Sequence, residues 1–423
     1  MKIIDTLIGF GYNLFILLVS KLIGLAKFFG PKAKLFVEGQ REIPGVLANI
    51  KIWKGQNPDK HIIWFHCASL GEFDQGLPLM WELKNKYPSN FILVSFFSPS
   101  GMKHYQKRNH CVDKAIYLPL DTPRNAKQFI RLVRPKLAVF VKYEFWANFI
   151  FELKKQQVRL ISVATIMRSD QVFFKWYGGF FRKVLHAFDF FYVQNNETIT
   201  LLNSIGIINA KNVGDTRFDN VIANKIRFEK SEKSQADLVF QTFLANEKAI
   251  IFGSSWEPEE KILKESLKFL EKDKIIIAPH NVSEGNCQLL QQFLGPNTIR
   301  FTQFDHFSNQ SILILDTIGH LSSAYHYGKV AFVGGGFSGQ LHNILEPAVF
   351  GLPVFFGPKH AKFPEASTLI EEGFAFHIET SNEFIAKLTF VTENQAELSQ
   401  KAINFIDTHK GAAMRIANDL NQL

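Results

Sequence analysis

The chain has 423 residues, too many for one ordinary core, so two domains of roughly 200 residues each are expected. Hydrophobic residues make up 46% and charged residues 21%, which excludes a disordered chain. The net charge of +9 points to an acidic partner: nucleic acid, anionic lipid or a phosphorylated substrate.

The aromatic residues carry no RNA-binding signature, so the basic balance alone would argue for nucleic acid, and none is expected as a partner. Cys67, Cys111 and Cys287 are far apart and odd in number, which fits neither a disulfide framework nor a metal pattern. A reducing compartment follows. No base is spaced to make Cys67 a nucleophile, and it reads as a small packing residue.

The first segment, IIDTLIGFGYNLFILLVSKLIGLAKFFG (3–30), is almost wholly apolar, broken by Asp5, Lys21 and Lys27. No small-residue cleavage site follows, which argues against a cleaved signal peptide. The uninterrupted part, Thr6 to Ser20, falls short of the roughly 20 residues of a full crossing, although lysines can snorkel. Lys32, Lys34 and Arg41 follow and favour the cytoplasmic leaflet. Residues 1–30 are therefore expected to form a membrane-associating helix; the alternative is a buried first helix of the domain.

Beyond it, strand and helix alternate. HIIWF (61–65), FILVSFF (91–97), AIYLPL (115–120), LAVFVKY (137–143), LISVAT (160–165) and FDFFYVQ (188–194) read as buried parallel strands. A second series starts near residue 248 with KAIIFGS, KIIIAPH, SILILDT, VAFVGGG and LPVFFGP. The charged stretch RFEKSEKSQADL between them reads as a solvated helix face. The pattern implies two doubly wound α/β domains with a cleft between them.

Ligands of such sheets bind outside the carboxyl ends of the strands, and three candidate stretches sit there. HCASLGEFDQG (66–76) sets Glu72 at a strand-to-helix junction, where residue chemistry alone suggests a structural helix-start acid. FGSSWEPEE (252–260) sets Ser254 and Ser255 before an acidic helix start, as N-caps or phosphate ligands. In VGGGFSGQLHNILEP (333–347), the glycines allow a turn to approach a ligand, and Pro347 puts Glu346 at a helix mouth, where it can accept from sugar hydroxyls.

The ordered motifs resemble those of the lipopolysaccharide Kdo (3-deoxy-D-manno-octulosonic acid) transferases, inverting glycosyltransferases of GT-B fold. HCASLGE is similar to the family's H-S-V-S-V-G-E, SPSG (98–101) to T-P-T-G, YLPLD (117–121) to Y-L-P-x-D and KYEFWAN (142–148) to E-x-E-L-W-P-N. GDTRFD (214–219) matches G-x-x-K-F-D, GSSWEPEE resembles S-T-H-x-G-E-E, and DTIGHL (316–321) corresponds to D-T-x-G-E-L. HNILEPAVFGLPVFFGP (342–358) carries the H-N-x-L-E signature with its P-V-x-x-G-P ending.

The resemblance implies transfer of Kdo from CMP-Kdo to the lipid A precursor at the cytoplasmic face of the inner membrane, without a cofactor or metal. It makes Glu72 the general base, which accepts the proton of the attacking hydroxyl. A helix start would lower the pKa of Glu72 and burial would raise it. Ser69 and Gly71 would shape the acceptor-side loop, with Glu144 a second acid. Arg217 would offset negative charge on a substrate or form an interdomain salt bridge. Ser254, Ser255, Pro279, His280, Gly335, Gly336, Asn343 and Glu346 would hold CMP. His66, His280 and His342 lack metal-ligand spacing and are expected to form hydrogen bonds.

The chain departs from the family pattern at Lys142, in place of the first glutamate of E-x-E, and at Ala147, in place of a proline. VATIMRS (163–169) aligns with N-A-R-L-S only with a shift at Arg168, and APHNVSE (278–284) replaces V-P-R-H-P-E-R. The expected domains are an acceptor domain at 31–213, a linker at 214–235 and a CMP-Kdo domain at 236–423, with the last helix able to pack back on the acceptor domain. The alternatives are another GT-B enzyme using a UDP-sugar, as transferase or epimerase, and a non-catalytic membrane-bound sugar-nucleotide-binding protein.

Overall fold

The computed structural model describes residues 2–26, 28, 30–305 and 308–420. They divide into two units: the first runs to Asn220 and regains the chain from Lys410, and the second is Val221–His409. Both are α/β units with a parallel sheet.

In the first unit the strands are β1 (Ile62–Cys67), β2 (Phe91–Phe96), β3 (Lys114–Tyr117), β4 (Leu137–Val141), β5 (Arg159–Thr165), β6 (Phe190–Val193) and β7 (Ala210–Asn212). Their order is β3-β2-β1-β4-β5-β6-β7. β1 and β4 are buried along their whole length, as continuous apolar runs covered by helices on both faces must be. Successive residues serve opposite faces. Ile62 and Trp64 join the core that holds Phe129, Phe140 and Phe149, whereas Ile63, Phe65 and Cys67 join the one that holds Phe73 and Phe96. Strand order reverses between β1 and β4, which places the switch point at their carboxyl ends.

The second unit repeats the plan with β8 (Ala249–Ser255), β9 (Ile275–Pro279), β10 (Thr298–Arg300), β11 (Ile312–Ile314), β12 (Gly328–Val333), β13 (Val354–Phe356) and β14 (Ala375–His377). The order is β10-β11-β9-β8-β12-β13-β14, so the reversal falls between β8 and β12.

Every strand read from the sequence is present, but β7, β10 and β14 were not foreseen. All three are three-residue edge strands with partly exposed side chains, so they carry no buried apolar run. The segment expected as a linker is mostly the helix Thr216–Lys230, and the division between the units falls inside it. The last helix, Ala412–Asp419, belongs to the first unit. Its Ala413 and Ile416 join the Phe73 core, and the Asp219 carboxylate caps it by accepting from the amides of Gly411 and Ala413.

The apolar N-terminal segment is a helix over Lys2–Ala26; Lys27 lies outside the described residues, as does the side chain of Lys32. Only 11% of its apolar stretch, Asp5–Leu25, is buried, so it is not the buried core helix of the alternative reading. By length and composition it could cross a membrane. A second helix, Pro31–Gln56, follows; it was not foreseen, because Pro44 and scattered charges blur its apolar face.

Candidate functional site

At the first switch point, Ser69 caps the helix Leu70–Lys86. Its Oγ accepts from the Glu72 amide at 3.4 Å, and Glu72 Oε2 accepts from the Ser69 amide at 3.1 Å, a capping box. Glu72 thus has a structural role as well as its expected chemical one. Burial pushes its pKa up to about 7, with the nearby Glu144 charge adding to the rise and the Ser69 and Ala68 amides and Lys142 opposing it. Burial outweighs the helix start. A carboxylate with a pKa near neutral is matched to general-base work.

A Cβ at Gly71 would meet nothing within 4 Å beyond its own turn of helix among the described residues, so the mouth of this helix stands open there. Gly101 is different: a Cβ there would run into the Phe96 ring, and its absence lets the short helix Pro99–His104 lie against Leu70. The Ser98 amide donates to Ala68 O at 2.7 Å and joins the two loops.

The loop after β4 brings the second acid. Lys142 adopts a left-handed φ of 62°, an uncommon conformation for a residue with a Cβ, and its amide donates to Val163 O. Burial raises the pKa of Glu144, and the neighbouring Trp146 side chain opposes the rise. The Trp146 indole donates to His66 Nε2 at 2.9 Å. On the far side of the ring, His66 Nδ1 meets Ser95 Oγ at 2.9 Å, and Ser95 Oγ accepts from Trp64 Nε1 at 2.8 Å. Because Nε2 accepts, the proton sits on Nδ1 and the imidazole is neutral. Burial agrees, pulling the pKa of His66 down to about 3.

Arg217 forms an ion pair within its own motif. Its guanidinium and backbone amide engage Asp215, two residues earlier in the GDTRFD motif, with Nε at 2.7 Å from Oδ2.

At the second switch point the three glycines are required by the protein's own backbone. A Cβ at Gly334 would strike Ser254, at Gly335 the Gln340 carbonyl, and at Gly336 the backbone of Gly357. Gly335 also has a φ of 88°, and its amide donates to the buried Glu259 at 2.9 Å. Ser254 carries a positive φ of 53°. Ser255 is buried and donates to Glu260 Oε1 at 3.1 Å, so it is not the helix cap; Trp256 holds that position. Asn343 bridges the next helix start: Nδ2 donates to Glu346 Oε1 at 3.2 Å and Oδ1 accepts from the Leu345 amide.

Sequence reasoning missed the Trp256 indole. It stacks on His280 with centroids 4.1 Å apart, and His280 in turn lies 5.0 Å from His342. Pro279 ends β9 just before this stack. The buried Nε2 of His342 has no hydrogen-bond partner among the described residues. Burial, and then His280, lower the pKa of His342, so it stays neutral. No group of three or more His, Cys, Asp or Glu that could hold a metal occurs among the described residues.

Two parallel-sheet α/β units, each with its candidate residues at a switch point, define the GT-B class. Solved structures with this fold include UDP-GlcNAc 2-epimerase from Neisseria meningitidis, 12% identical with a TM-score of 0.63 over 85% of this chain and 99% of that one. Acinetobacter baumannii MurG, 12% identical, has a TM-score of 0.52 over 86% of this chain and 100% of that one. Residues 43–220 match the 3-deoxy-D-manno-octulosonic-acid transferase (kdotransferase) family. The 3-deoxy-D-manno-octulosonic acid transferase of Aquifex aeolicus is 27% identical over 80% of this chain and 88% of the relative. That of Rickettsia bellii is 26% identical over 88% and 90%. Together these findings support a Kdo transferase.

Proposed function

We propose that the enzyme transfers Kdo, with inversion, from CMP-Kdo to the lipid A precursor at the cytoplasmic face of the inner membrane. The carrying observation is Glu72, a half-buried carboxylate raised to about 7 at the first switch point, beside a second acid. In the proposed step an acceptor hydroxyl oxygen attacks the anomeric carbon of Kdo and gives its proton to Glu72. The bond from that carbon to the CMP phosphate oxygen breaks, and CMP leaves with the electron pair. A single displacement of this kind inverts the anomeric centre. Glu144, two residues before Trp146, lines the acceptor side.

In the second unit, Glu346 is positioned by Asn343 to accept from ribose hydroxyls. Trp256, stacked on His280, offers an aromatic face, and His342 Nε2 offers a polar atom that lacks a partner among the described residues. Ser254 lies near the end of β8, and Gly335 and Gly336 lie on the turn after β12.

For membrane association, the support is the outer face of the N-terminal helix. Phe10 is 69%, Phe15 62% and Leu22 58% exposed, and Trp176 is 79% exposed in the loop before Gly179–Leu185, the helix that packs on it. Exposed apolar surface of this kind, with Lys21, Lys34 and Arg41 nearby, suits a lipid interface.

The test is incubation of purified protein with CMP-Kdo and lipid A precursor, followed by mass spectrometry. A mass increase of Kdo on the lipid supports the reading. Turnover of UDP-sugars, with CMP-Kdo untouched, would favour an epimerase or another GT-B transferase, which the epimerase-like fold keeps as the second reading.

A further inference from the structure

The helix Ala147–Lys155, which follows the Glu144 loop, starts at Trp146, whose indole cannot accept a hydrogen bond and so cannot cap it. The cap comes instead from Asp121, the last residue of YLPLD. Its buried carboxylate accepts from the amides of Asn148 and Phe149, each at 3.0 Å. Asn148 Nδ2 donates back to the Asp121 carbonyl at 2.6 Å.

Two residues of the N-terminal helix complete this arrangement. Tyr12 Oη donates to Asp121 Oδ2 at 2.5 Å, and Asn13 Oδ1 accepts from Asn148 Nδ2 at 2.9 Å. The same stripe seats the helix on Gly179–Leu185. Asp5 pairs with Lys183 at 2.9 Å, Gly9 lets the Phe180 ring come close, and Tyr12 and Phe180 have centroids 5.8 Å apart. The helix is polar toward the protein and apolar toward its surroundings. A helix whose only task was to sit in lipid would have no need of part-buried hydrogen bonds to residues more than a hundred positions away in sequence.

We infer that Tyr12 and Asn13 are positioning residues for the acceptor site: through Asp121 and Asn148 they hold the start of the helix that follows Trp146, and so the placement of Trp146 and Glu144. The inference rests on the reading of the Glu144 loop as the acceptor side. It gives the N-terminal helix a part in turnover that persists without a membrane.

The test uses the full chain with CMP-Kdo and lipid A precursor dispersed in detergent. Tyr12→Phe and Asn13→Ala should each lower kcat/KM for the acceptor roughly fivefold or more, as expected for loss of one net hydrogen bond. The KM for CMP-Kdo and the fraction pelleting with membranes should not change. Asp5→Asn, which loosens the same helix from Lys183 but not from Asn148, should retain turnover. Wild-type acceptor kinetics in both Tyr12→Phe and Asn13→Ala, with Glu144→Gln impaired, would overturn the inference and leave the site reading standing. Normal turnover of Glu144→Gln would overturn the reading on which the inference rests.

Discussion

The Trp146 indole donates to His66 Nε2 at 2.9 Å, and that single contact decides the chemistry of the histidine. A ring nitrogen that accepts cannot also carry a proton, so His66 is neutral and serves to orient Trp146 rather than to move protons. In the proposed mechanism the acid–base work then falls to Glu72.

His66→Phe should leave the Trp146 donor and the Ser95 Oγ acceptor without this partner and cost about 1–3 kcal/mol of stability, read by denaturant unfolding. The pH dependence has a definite sign. With a folded pKa near 3 against the ordinary 6.5, the unfolded chain binds the proton more readily. Stability contributed by His66 is therefore fully present above 6.5 and lost as pH falls from there toward 3. An imidazole resonance of His66 that titrated near 6.5 in the folded protein would contradict the assignment.

Glu72→Gln should preserve the capping box, since the amide oxygen can still accept from the Ser69 amide, while transfer falls roughly a hundredfold or more. In the wild type, kcat should rise with pH through about 7 as Glu72 loses its proton. The stability effect runs the other way. Between 4.5 and about 7 the folded state holds a proton the unfolded state has released, so this group's contribution falls as pH rises through that window. Above it, Glu72→Gln should unfold later than the wild type, by on the order of 2 kcal/mol. A less stable variant at pH 8 would show that burial is not what raises this group.

Asn343→Ala removes the side chain that orients Glu346 and should weaken CMP binding about tenfold; Glu346→Ala should weaken it at least as much. Acceptor binding should be nearly intact in both. Calorimetry with CMP resolves the outcome, and unchanged affinity in Glu346→Ala would remove the ribose role.

The combined variant Phe10→Ser, Phe15→Ser, Leu22→Ser alters only the outer face of the N-terminal helix. Each substitution removes about 1.5–3 kcal/mol of apolar transfer energy, so the protein should leave sedimented vesicles while Tyr12 and Asn13 keep their contacts. Turnover should drop on lipid-embedded acceptor and hold on detergent-dispersed acceptor. Undiminished pelleting would show that this face is not the anchor.

Much of the fold was legible because it is written in local runs. HIIWF or KAIIFGS must be covered on both faces, and turn residues at their ends place the candidate residues at the carboxyl edge of each sheet. Glu72, Asn343 and Glu346 were found this way and through the motifs they belong to. The edge strands β7, β10 and β14 were illegible because an edge carries little buried apolar pattern. The motif resemblance did not explain Asp121 and Asp219, which cap helices at Asn148 and Gly411, because a cap between distant segments leaves no spacing in the sequence to read.

The balance at Glu72 shows the same division. From the sequence alone, a helix start favours the charged form and burial disfavours it, with nothing to weigh one against the other. The packing around Glu72 and the approach of Glu144 decide for burial, because desolvation depends on every neighbour, whatever its distance along the chain. The sequence by itself determined which carboxylate stands at the junction; only the tertiary structure decided that it would hold its proton up to about 7.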